Sequence, residues 1–124
     1  MLTKRKIIVY VAGKYSGDIS GNIHKARQTA IKLWELGYTV FCPHLNTVHF
    51  EIDCKCQYDD YILGDLEILE RCDVILMLDN WESSRGAMSE HEFAELKKIP
   101  IFYKIEDLER WYNEKPTVCN QPKG

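Results

Sequence analysis

The chain has 124 residues, 45% of them hydrophobic and 28% charged, with a formal net charge of −3. That length implies one domain able to bury about two-thirds of its unfolded surface without staples. The composition excludes disordered, collagenous and coiled-coil chains. A pI of about 5.8 argues against a broad nucleic-acid surface.

The domain is expected over residues 1–112, with a polar tail over 113–124. The longest apolar runs, Ile7–Ala12 and Val74–Leu78, are too short to cross a bilayer. Basic residues precede the first run, but Lys14 ends it early and no small-residue cleavage site follows. No signal peptide is therefore expected, and the expected location is cytoplasmic.

In chain order, Ile7–Ala12 is continuous and β-branched, which predicts a buried central strand. Gly13 to Gly21 is predicted as a loop rich in Gly, Ser and Asp. A helix follows with Ile23, Ala26, Ala30, Leu33 and Trp34 on one face and Gly37 as its stop. Tyr38–Cys42 is a second strand, ended by Pro43. Residues 44–57 are predicted as one long loop, a length often functional in compact domains. A helix is expected over about 58–71, a buried strand over Asp73–Leu78, and a loop over 79–86 opening a helix over about 87–98. A short strand at Ile101–Tyr103 and a helix at Glu106–Tyr112 complete the domain.

This alternation argues for a parallel sheet covered on both faces. Right-handed crossovers favour a doubly wound sheet of 4–5 strands in the order 2-1-3-4. In that order the loops after strands one and three flank the ligand crevice, so Gly13–Gly21 and Asp79–Gly86 mark the expected site.

Two carboxylates break the amphipathic pattern. Asp65 falls within the apolar stripe of Tyr61, Ile62, Leu66, Ile68, Leu69 and Cys72. Glu90 falls on the inner face set by Ala87, Phe93 and Ala94. A buried acid is costly unless it is paired, hydrogen-bonded or set in a cleft. A pair of such acids suits chemistry through an oxocarbenium-like centre, one at the anomeric carbon and one handling the leaving group's proton. That logic alone does not separate sugars from other substrates.

The loops offer anion chemistry. Gly13, Lys14, Tyr15, Ser16 and Gly17 supply flexible backbone, a cation and hydroxyls. Ser83, Ser84, Arg85 and Gly86 place hydroxyls and a guanidinium before a helix N-terminus. Neither loop is a P-loop or a dinucleotide fingerprint, and plain turn and cap roles stay open. Tyr15, Phe50, Tyr58 and Trp81 are aromatic candidates for stacking on a base, Trp81 foremost, with ordinary loop packing as the alternative.

Five cysteines fit a reducing compartment better than a disulfide framework. Cys42, Cys72 and Cys119 stand alone. Cys54 and Cys56 form C-x-C, with His44 and His49 upstream; four such ligands could hold zinc, but the spacing matches no common zinc module.

Val9–Gly13, Gly64-Asp65-Leu66 before Cys72–Ile75, and Gly86–Glu90 with Phe93-Ala94 together resemble the nucleoside 2-deoxyribosyltransferase superfamily. That superfamily includes base-exchanging transferases and hydrolases of nucleoside 5′-monophosphates. The resemblance covers roughly residues 6–103, and the segment Trp81–Gly86 is most similar to small bacterial and phage members. It implies a flavodoxin-like (Rossmann-like) fold and cleavage or transfer at the N-glycosidic bond of a (2′-deoxy)nucleoside or its 5′-monophosphate. By the resemblance Glu90 is the nucleophile at C1′, Asp65 assists at the sugar and leaving base, Tyr10 orients the nucleophile, and Ser84 binds a 5′-phosphate. Lys14, where those hydrolases carry a small phosphate-binding residue, and Glu92, where glycine is usual, are departures.

No metal or organic cofactor is expected, and the expected partner is a small nucleoside or nucleotide. The resemblance also implies a homodimer or larger homo-oligomer, and Asn120 in the tail could reach a neighbour's site. A nucleotide-binding or sensor module without turnover, and an NAD or sugar-nucleotide glycohydrolase, remain as alternatives.

Overall fold

The computed structural model describes residues 4–115. Four parallel strands, β1 (Ile8–Ala12), β2 (Thr39–Phe41), β3 (Val74–Met77) and β4 (Ile101–Phe102), form one sheet in the order β2-β1-β3-β4. This is the expected 2-1-3-4 order. Each strand is followed by helix: α1 (Ile19–Glu35) after β1, α2 (Pro43–Asn46), α3 (Phe50–Asp53) and α4 (Tyr58–Glu70) after β2, α5 (Arg85–Lys97) after β3 and α6 (Ile105–Asn113) after β4.

Alternate residues of the strands feed two cores, as the period of an extended chain requires. Val9, Val11, Val74 and Leu76 pack with Ala26 and Leu33 of α1 and Leu108 of α6. Tyr10, Ala12, Ile75 and Met77 face the other way, onto Leu69 of α4 and Ala87 and Ala94 of α5. Both faces of the sheet are thus covered, which is why β1 and β3 read as unbroken apolar runs. Register pairs Tyr10 with Phe41 on one side and with Ile75 on the other.

Three boundaries differ from expectation, each for a local reason. α1 begins at Ile19, not beyond Gly21, because the Asp18 carboxylate accepts the Gly21 N–H at 3.1 Å and caps the helix there. α5 begins at Arg85 because the Ser84 hydroxyl accepts the Ala87 N–H at 3.1 Å. Residues 44–57 are not one loop. Pro43 opens the single turn α2, and His49, at φ 61, turns the chain into α3. Cys119 and Asn120 lie outside the described residues, as does most of the predicted tail.

Candidate active site

The sheet order sets the location. β1 lies between β2 and β3, so the segments leaving all three strands meet at their carboxyl ends. Close approach there demands Gly13: a Cβ would lie 2.6 Å from Leu78 Cδ1 and 2.8 Å from Leu78 Cβ. Asn80 then ties the two loops, its carbonyl accepting the Lys14 N–H at 3.0 Å and its amide donating to Asn22 Oδ1 at 3.3 Å.

The result is a cavity of about 370 Å³, enough for a nucleoside-sized ligand. Asp65 from α4 and Glu90 from α5 both line it. So do Gly13, Tyr15, Ser16, Ser84, Gly86 and Ala87. Gly86 lets the first turn of α5 approach α4, since a Cβ there would sit 2.9 Å from Tyr58 Oη and 3.0 Å from Ile62 Cδ1.

Glu90 is only 5% exposed, and the Tyr10 hydroxyl, fully buried beneath it, donates to its Oε2. Burial pushes the Glu90 carboxyl up to about 8; the Tyr10 hydrogen bond pulls it down and the negative charge of Asp65 pushes it up further. Burial alone raises Asp65 to about 6. Tyr10 is itself raised, by burial first and then by the charges of Glu90 and Asp65. Two carboxyls with separated pKa values therefore face one hollow, and the charge of Asp65 acts on Glu90.

The other residues singled out in the sequence divide by placement. Tyr15 is fixed: its hydroxyl donates to the Glu51 carboxylate at 3.1 Å and accepts the His49 N–H at 2.9 Å. Ser84 spends a lone pair on its cap, which leaves its own O–H free to donate. Arg85 is outside the cavity, in an adjoining open depression that shares Ser16, Tyr58 and Ser84 with it. Its guanidinium is 3.5 Å from Asp59 and 5.0 Å from the Tyr58 ring centroid.

Lys14 and Trp81 do not line the cavity. The Lys14 side chain lies back over Gly17. The Trp81 ring stacks on His91, 4.2 Å between centroids and 12° between planes, so it meets a neighbouring ring instead of a ligand space. Phe50 is exposed and off the cavity, whereas Tyr58 lines it. Glu92 is exposed, away from Glu90, so the additional acid does not enter the site.

The far wall comes from the segment predicted as loop. His44, Thr47, Glu51 and Cys56 contribute to it, with Tyr61 from α4. His44 is buried, and its Nε2 lies 2.7 Å from the Lys14 carbonyl, so that nitrogen carries the hydrogen. Burial lowers the His44 pKa, which keeps the ring neutral. The sequence pointed to the 44–57 segment through its length, its C-x-C pair with His44 and His49, and Phe50. Among the described residues, no group of three or more His, Cys, Asp or Glu side chains could hold a metal ion.

Fold and site together define an α/β protein of flavodoxin-like architecture with a two-carboxylate pocket at the switch point of its sheet. The chain belongs to the DUF4406 family, a domain of unknown function, whose family model matches residues 7–103. Its structure is similar to that of a 2-deoxyribosyltransferase from the psychrotolerant bacterium Bacillus psychrosaccharolyticus. The TM-score is 0.54 at 22% sequence identity, covering 76% of this chain and 69% of that one. None of the curated proteins matches the chain. Among the described residues, no helix is long and apolar enough to cross a membrane.

Proposed function

We propose that this protein breaks or transfers the N-glycosidic bond of a (2′-deoxy)nucleoside or its 5′-monophosphate, with Glu90 as nucleophile. The observation that carries this reading is the buried Glu90 carboxyl, held by Tyr10 and sharing one nucleoside-sized cavity with Asp65. The structural likeness to a 2-deoxyribosyltransferase supports it.

The chemistry follows from the electrostatics. A carboxylate so poorly solvated is stabilised when positive charge develops on the sugar carbon beside it, so the gain is largest in the transition state. The reacting form carries the pair's single proton on Asp65: ionised Glu90 attacks C1′, the C1′–N bond breaks, the base leaves with the Asp65 proton, and water or an acceptor base resolves the glycosyl ester. Asp65, with its pKa near neutrality, moves the proton of the leaving base. Tyr10 does not reach the cavity and acts as a positioning residue. Ser84, with Ser16 beside it and Arg85 in the adjoining depression, supplies donors for a 5′-phosphate.

Incubation with a panel of ribo- and deoxyribonucleosides and their monophosphates tests the reading. Release or exchange of free base is the expected result, and none from any member at high protein concentration would sink it. The protein is further proposed to act as a homodimer; Leu63 of α4, 64% exposed, and Met88 of α5, 50% exposed, offer apolar surface for it. A single-chain mass by light scattering at micromolar concentration would contradict the dimer.

A further inference from the structure

The four described cysteines fall into two classes. Cys42 and Cys72 are buried, and burial pushes each thiol up to about 11. Cys54 and Cys56 instead sit in the short link between α3 and α4, Cys54 half-buried and Cys56 exposed at the cavity wall. The link folds so that the Cys56 N–H donates to Cys54 Sγ at 3.3 Å.

The Cys54 sulfur accepts the Cys56 N–H and also feels the Cys56 thiol and the Tyr61 hydroxyl. The Cys56 thiol is the strongest influence, followed by the Tyr61 hydroxyl and the Cys56 N–H; together they hold the Cys54 thiol below its ordinary range against partial desolvation and the charge of Asp60. The Cys56 thiol, as donor in that pair, is raised. The Tyr61 hydroxyl is buried and makes no hydrogen bond of ordinary geometry to any described residue, yet it lies near enough to favour a thiolate at Cys54. Accessible, donor-rich surroundings of this kind mark reactive cysteines, whereas buried apolar ones mark inert cysteines.

We propose that Cys54 and Cys56 are a redox-active dithiol at the rim of the cavity, Cys54 the attacking and Cys56 the resolving thiol, and that closing their disulfide stiffens the rim. The oxidant is a hydroperoxide. The Cys54 thiolate attacks one peroxide oxygen; an S–O bond forms, the O–O bond breaks, and the departing oxygen takes a proton to become an alcohol or water. The Cys56 sulfur then attacks the sulfenic sulfur; S–S forms, S–O breaks, and water leaves with the Cys56 proton. Two electrons pass from the sulfurs to the peroxide. The rim responds because Glu51 on α3 and Tyr58 and Tyr61 on α4, which flank the link, all line the cavity.

The test uses the full chain carrying Cys119→Ser, so that only the four described cysteines remain. After treatment with hydrogen peroxide and blocking of free thiols, peptide mapping is expected to show the peptide with Cys54 and Cys56 lighter by two hydrogens and Cys42 and Cys72 still reduced. With Cys56→Ser added, dimedone is expected to label Cys54; with Cys54→Ser instead, Cys56 is expected to stay unlabelled. Hydrogen exchange over residues 50–61 is expected to slow several-fold on oxidation. A peptide that stays reduced in excess peroxide, or dimedone on Cys56 and not on Cys54, would overturn the dithiol. Unchanged exchange on full bridge formation would overturn the stiffening. None of these readouts needs nucleoside turnover, so a failure here is separate from a failure of the glycosyl-transfer reading.

Discussion

Tyr10 and Glu90, 80 residues apart in sequence, meet beneath the cavity floor, the phenol hydroxyl donating to the carboxyl Oε2. β1 brings Tyr10 to the buried face and α5 lowers Glu90 onto it. This bond is the contact that most favours the charged form of Glu90. Tyr10→Phe removes it at nearly constant volume, so the fold is expected to persist while turnover falls about 10–100-fold, as when groups orienting a reactive ligand are lost. The limb of the kcat/KM profile near pH 8 should move to higher pH, because the Glu90 carboxyl loses the donor that lowers its pKa. A pH–rate profile of wild type and Tyr10→Phe checks both.

Glu90 is also a stability liability. Its pKa in the folded chain, about 8, lies above the ordinary value of 4.5, so folding favours the proton. Below about pH 4.5 both states hold it and no penalty applies. As pH rises from there to about 8 the unfolded chain ionises first and stability falls. Glu90→Gln lacks this ionisation. It is expected to unfold at higher temperature than wild type at pH 8–9 and at a similar temperature near pH 4, with a difference of up to a few kcal/mol, one pKa unit being about 1.4 kcal/mol. Thermal melts across pH measure it.

The charge of Asp65 raises Glu90, so the two carboxyls are expected to titrate as a pair. Their raised values, about 6 and about 8, should appear as the two limbs of a bell-shaped kcat/KM profile. Asp65→Asn removes a negative charge that raises Glu90, so the Glu90 titration should move to lower pH. Carbon-detected NMR titration of the Glu side chains in the two proteins reads that shift directly.

The packing of α5 on α4 depends on Gly86. An alanine Cβ there would lie 2.9 Å from Tyr58 Oη and 3.0 Å from Ile62 Cδ1, so the tips of those two side chains must give way. Gly86→Ala is expected to cost about 1–3 kcal/mol, the usual range for overpacking. Gly13→Ala, with contacts at 2.6 and 2.8 Å to Leu78, should cost at least as much. Denaturant melts of the two variants check the order.

The sheet was legible because β1 and β3 are buried on both faces and read as continuous apolar runs, while Asp65 and Glu90 stood out as acids on otherwise apolar helix faces. Both acids do line the cavity. The wall opposite was not legible. α2 and α3 are single turns, too short to show a period, and their positions follow from Pro43 and the left-handed turn at His49. Trp81 was open to two readings for a related reason. Loop aromatics can stack on ligands or on neighbours, and its partner, His91, becomes visible only when the short turn Trp81–Ser83 and α5 are folded together. The caps at Asp18 and Ser84 were readable residue types placed two to three residues earlier than the glycine-rich context suggested.

The most direct measurement is base release from a nucleoside or nucleotide substrate of the wild-type protein, compared with Glu90→Gln, whose fold is verified by circular dichroism. A carboxamide cannot form the glycosyl ester, so release is expected to fall at least about 1,000-fold, in line with loss of a nucleophile. Undiminished base release by a well-folded Glu90→Gln protein would contradict Glu90 as the attacking group.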